Sequence, residues 1–98
     1  MARSNVDPLL TFPDGSYLVI STQHAVDGEF SCVLYSAVAG DDDRIAFRVI
    51  SHEIAGSNCM KAQESAYEHL LRRYPSAGQI LKKPPYLIWK GPRSSELK

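Results

Sequence analysis

Three stretches of this chain alternate apolar and polar residues, and a fourth repeats apolar residues at spacings of three and four. Ser16-Tyr-Leu-Val-Ile-Ser-Thr-Gln-His24, Phe30-Ser-Cys-Val-Leu-Tyr-Ser-Ala-Val38 and Arg44-Ile-Ala-Phe-Arg-Val-Ile-Ser51 are rich in β-branched and aromatic side chains and read as strands. Turn residues punctuate them: Pro13-Asp14-Gly15 before the first, Asp27-Gly28 before the second, and Gly40 with Asp41, Asp42 and Asp43 before the third. Connections this short favour antiparallel neighbours, so the pattern predicts a three-stranded β-meander.

The fourth stretch predicts a helix. Gly56-Ser57-Asn58 stops the extended chain and supplies Ser57 or Asn58 as N-cap. Cys59, Ala62, Gln63, Ala66, Tyr67, Leu70, Leu71 and Tyr74 then fall on one stripe, apolar throughout except for Gln63. Lys61, Glu64, Ser65, Glu68 and Arg72 take the other side. Arg72 and Arg73 complement the dipole in the last turn, and Pro75 disfavours helical geometry at Tyr74. Beyond it, Ser76-Ala-Gly78 reads as a loop and Lys82-Lys83-Pro84-Pro85 as extended chain leading to the apolar run Tyr86-Leu-Ile-Trp89. The expected fold is a single α+β domain over residues 1–98. It comprises the meander, one long helix packed on one face, and a C-terminal extended segment, with residues 1–13 and 93–98 flexible.

Alternation sorts the strands into two faces. Leu18, Ile20, Phe30, Cys32, Leu34, Ile45, Phe47 and Val49 form an apolar floor for the helix. The opposite face then carries Tyr17, Val19, Ser21, Ser31, Val33, Tyr35, Ala46, Arg48 and Ile50, which is too apolar for a plainly solvated surface. Three covers suit it: a fold-back of Tyr86–Trp89 or Leu9–Phe12, a second copy of the chain, or nucleobases stacked on Tyr17 and Tyr35 beside Arg48. Tyr17, Val33, Tyr35 and Arg48 are therefore the candidate interaction surface.

Composition places the chain among ordinary globular proteins: 98 residues, 44% hydrophobic and 22% charged. The N-terminus has no apolar signal core, and the longest apolar runs are about four residues, far from the ~20 of a membrane helix. With only two cysteines, Cys32 and Cys59, a reduced cytoplasmic setting away from membranes is expected.

Charge changes the picture more. The net charge of zero hides a split: residues 1–71 hold four basic and ten acidic side chains, whereas residues 72–98 hold seven basic ones against Glu96 alone. Arg72, Arg73, Lys82, Lys83, Lys90 and Arg93 thus form a candidate polyanion-binding set, with Tyr86 and Trp89 available for stacking. Arg72 and Arg73 also have a local reason at the helix end, so the split reads first as self-complementarity within or between molecules.

The remaining chemistry is thin. Cys59 at the helix start with His52 upstream lacks the rest of a nucleophilic site, and reads as a small residue on the buried stripe. His24, His52 and His69 show no zinc spacing, Asp41-Asp42-Asp43 lacks the ligand alternation of a calcium loop, and no phosphate-binding glycine loop is present. No metal or cofactor is expected. The strand–strand–strand–helix order resembles the latter part of double-stranded-RNA-binding domains in topology alone: those domains need basic residues where the helix starts, and only Lys61 stands there. The sequence thus predicts a non-enzymatic interaction module that binds a protein partner or itself as a homodimer through the second sheet face. Nucleic-acid binding by the basic C-terminal region is the alternative.

Overall fold

The computed structural model describes residues 8–24, 28–39, 45–92 and Leu97. Along the chain run β1 (Leu10–Thr11), β2 (Tyr17–His24), β3 (Phe30–Ala39), β4 (Ile45–Gly56) and α1 (Cys59–Arg73), followed by a 3₁₀ turn at Pro75–Ala77. The α+β class is as the pattern predicts, but the antiparallel sheet has four strands in the order β1-β2-β3-β4 rather than three. The extra strand is two residues long and lies between Pro8 and Pro13, so no alternation betrays it. Its neighbours are nonetheless fixed. Leu9 N–H donates to the Leu18 carbonyl at 2.8 Å, and Leu9 and Leu10 are buried, so residues 9–11 belong to the body of the domain. The turn to β2 is closed by Asp14, whose Oδ1 accepts from Ser16 N at 2.9 Å and from Ser16 Oγ at 2.6 Å. Gly15 supplies the positive φ of +92° that this turn requires.

The third long strand departs from expectation in length and in facing. β4 continues through residues 52–56, where a loop was expected, because its far end pairs back onto the start of β3, Cys32 with Ile54 and Phe30 with Gly56. Two register shifts make this possible, between Cys32 and Leu34 and between Leu34 and Tyr35. Each offsets the pairing by one residue, so β4 carries two residues more than β3 between these pairs. At the other end of β4, Val49 pairs with Tyr35 and Phe47 with Ala37, and directly paired residues share a face, so Ile45, Phe47 and Val49 lie on the second face, not on the helix floor, while Ile50 and Ile54 turn toward the helix. A one-residue slip inverts every facing assignment along a strand.

Helix α1 forms as predicted. Asn58 is the N-cap, its Oδ1 accepting from Lys61 N at 2.8 Å, and Arg72 and Arg73 occupy the last turn. Ala62, Ala66 and Leu70 press on Leu18, Ile20, Cys32 and Leu34. The alanines let the helix backbone approach closely. At Gly56 the fit is tighter still: an added Cβ would lie 2.6 Å from Ala62 Cα. Ser51 Oγ and His69 Nε2, 2.7 Å apart, tie β4 to α1 at the boundary of this core. Leu81 and Tyr86 complete the core from the C-terminal segment. The hairpin of Asp41, Asp42 and Asp43 and the segment around Asp27 lie outside the described residues.

Candidate interaction surfaces

A polar clamp in the helix-side core sets the path of the C-terminal segment. Gln63, 1% exposed, accepts from Tyr86 N at 2.9 Å and donates to the Tyr86 carbonyl at 3.3 Å and to Thr22 Oγ1 at 3.1 Å. A single carboxamide therefore satisfies both backbone groups of a buried residue, which water cannot reach. The Tyr86 hydroxyl in turn donates to the Lys82 carbonyl at 2.7 Å. From this clamp the chain passes over the outer edge of β2, beyond the reach of short β1. Thr22 N–H donates to the Trp89 carbonyl at 2.7 Å, and Gln23 Nε2 donates to the Lys90 carbonyl.

Trp89 then lies on the second face of the sheet. Its ring centroid is 5.6 Å from that of Tyr35 and 5.3 Å from that of Phe47, both in tilted or edge-on contact. The run Tyr86–Trp89 is thus shared out: Tyr86 is in the helix-side core, Trp89 is on the opposite face, and Leu87 and Ile88 are 57% and 64% exposed between them. Gly91 permits the exit. It has φ +109°, and a Cβ there would sit 3.2 Å from Tyr35 Oη.

Of the predicted interaction set, Tyr17, Val33 and Tyr35 do share the second face with Val19, Ala37 and Phe47. Tyr35 is buried, whereas Tyr17 and Val33 are half-buried at the rim, where partial burial raises the Tyr17 phenol above its ordinary pKa. Arg48 pairs with Ser36, one residue out of phase with Val49 and Tyr35, so it is exposed on the other side of the sheet. Tyr35 and Arg48 therefore do not form a common stacking platform, and the top of Tyr35 carries Trp89. Ile45, Val49 and Trp89 join the rim in their place.

The predicted basic set is divided. Arg72 and Arg73 are exposed at the end of α1, where Arg73 Nε donates to Tyr74 Oη at 3.3 Å and its guanidinium lies 5.8 Å from the Tyr74 ring centroid. Tyr74 packs on Phe12, and Lys82 N–H donates to the Leu9 carbonyl, so these charges cluster at the β1 end of the domain. Lys83 is exposed next along the chain. Lys90 instead sits by Gln23. Five residue steps along β2, from Leu18 to Gln23, separate the two ends, roughly 17 Å. Arg93 lies outside the described residues.

Beside Lys90 there is a shallow cleft of about 440 Å³ lined by Thr22, Gln23, His24, Phe30, Ile88 and Lys90. The Phe30 ring is braced edge-on by His24 at 4.9 Å. Both cysteines are free; Cys32 is buried and Cys59 half-buried. Among the described residues, no three His, Cys, Asp or Glu side chains are placed to hold a metal ion, and no helix is long and apolar enough to cross a membrane. Sequence reasoning missed the clamp and the split of Tyr86 from Trp89. The available signal was Gln63 itself, one polar residue on an otherwise apolar stripe. The chain matches no protein-family model, no curated protein and no solved structure.

Proposed function

We propose that this chain is a small non-enzymatic interaction module that binds a protein partner, or a second copy of itself, through the second face of its sheet. The observation that supports this reading is the apolar rim on that face. Tyr17, Val33, Ile45 and Val49 stay half-buried around a sealed centre of Val19, Tyr35, Ala37 and Phe47, and Trp89 is the side chain of the C-terminal segment laid across it. A face that met only water would carry polar side chains at those positions. Among them Tyr17 and Trp89 are of the aromatic kind that carries much of the binding energy at protein interfaces, and the aliphatic residues around them help exclude water.

A photo-crosslinking residue placed at Val49 in the full chain tests this directly. A discrete adduct with a second copy or with one protein is expected at that position, and none from the exposed outer side of α1 at Glu64. Sedimentation across a concentration series separates self-association from binding another protein. Equal crosslinking from both positions, or none from Val49 in a folded chain, would overturn the reading.

A further inference from the structure

We propose that the cleft beside Lys90 is a second docking site, for a short acidic peptide segment of a partner protein that carries a large apolar side chain. Leu87 and Ile88 are exposed, yet they do not lie on a loose tail. The segment is held on one side by the Gln63 clamp on Tyr86 and on the other by Thr22 N–H on the Trp89 carbonyl and by Trp89 itself. The backbone that carries them is fixed at both ends, so covering them costs less loss of backbone freedom than ordering a loose tail would. Ile88 and Phe30 form the apolar walls of the cleft, and its volume of about 440 Å³ suits one or two large side chains.

Charge selects the ligand. Lys90 is one of the residues that line the cleft, and its side chain is exposed. No acidic residue occurs in the sequence between Glu68 and Glu96; Glu29, beside Phe30, is the carboxylate nearest the cleft in the chain. One cation next to an apolar slot matches a carboxylate adjacent to an apolar side chain. A nucleic acid or an anionic lipid surface requires several cations together, and Lys82 and Lys83 belong to the distant β1 end of the domain. This site lies at the β2 edge, apart from the rim of the second face, so its failure would leave the preceding reading intact.

The test is an NMR titration of the full chain with acetyl-Ser-Glu-Leu-Leu-Glu-Ser-amide at up to about 1 mM. Saturable shifts are expected at Gln23, Phe30, Ile88 and Lys90. They should be lost when the peptide's glutamates become lysines or its leucines become alanines. Ile88→Asp should weaken binding about tenfold and Lys90→Glu about fivefold, with Trp89 fluorescence unchanged to show that the fold is intact. Four outcomes would overturn the proposal: no shift at these residues, equal response to the lysine peptide, the same shifts on concentrating the protein alone, or an Ile88-dependent response to anionic vesicles but not to the peptide.

Discussion

Replacing Gln63 tests how the C-terminal segment is held. Gln63→Leu keeps most of the side-chain volume and removes the carboxamide, taking away its bonds to the Tyr86 N–H and carbonyl in a site where Tyr86 is 5% exposed. Each buried backbone group stripped of its partner costs about 1–3 kcal/mol. Thr22 Oγ1 also loses a donor but keeps its contact with Cys32 Sγ at 3.8 Å. The expected loss is about 3 kcal/mol, a large share of the roughly 5–15 kcal/mol that stabilises a domain of this size. In thermal terms that is a fall of about 12–24 °C. Urea unfolding followed by circular dichroism gives the free energy. Trp89, the only tryptophan, reports whether the segment leaves the sheet first. In the native chain both signals should change together; in the variant Trp89 emission should shift red ahead of the loss of secondary structure. A stability within about 0.5 kcal/mol of the parent, with coincident transitions, would refute the clamp. Gln63→Glu adds a pH signature. Burial raises the introduced carboxyl above its unfolded value of about 4.3. The protonated form is therefore the one the fold accepts: stability is retained below the unfolded value and lost as pH rises through the raised one.

The other predictions concern packing, capping and the thiols. Gly56→Ala should destabilise by more than about 2 kcal/mol, because the new methyl would meet the backbone of Lys61 and Ala62; a melting temperature unchanged from the parent would refute so close an approach of β4 to α1. Asn58→Ala should cost about 1 kcal/mol, read from urea midpoints, through loss of the bond to Lys61 N, and Asn58→Ser should restore most of it. Burial pushes the Cys32 thiol up to about 11 from an ordinary 9.0, with the Thr22 contact opposing. In the native protein a thiol reagent at neutral pH should therefore label half-buried Cys59 and leave Cys32 until unfolding; two fast equivalents would contradict this. The same shift makes the neutral thiol the form the fold prefers, so its contribution holds below 9.0 and is lost as pH rises through about 11. Cys32→Ala should flatten the stability profile over that interval.

Elements whose causes are local could be read along the chain. α1 was legible with its cap and its last turn because a 3.6-residue stripe, Asn58 and Pro75 act within a few residues of one another. The cores of β2 and β3 were legible for the same reason, as alternation and turn chemistry are short-range. The charge split was also visible, but only as a sum along the chain, which says nothing of where charges lie in space. Register and distant pairing were fixed only once the chain had packed in three dimensions. The register of β4 on β3 placed Phe47 and Val49 on the second face and Arg48 away from Tyr35, since a one-residue difference in pairing inverts a strand's facing. Gln63 and Thr22 met Tyr86 and Trp89 across the β2 edge, carrying Lys90 away from Lys82 and dividing the basic end into two. Such contacts follow from which buried backbone groups find partners once the core has closed, and no periodicity along the chain encodes that choice.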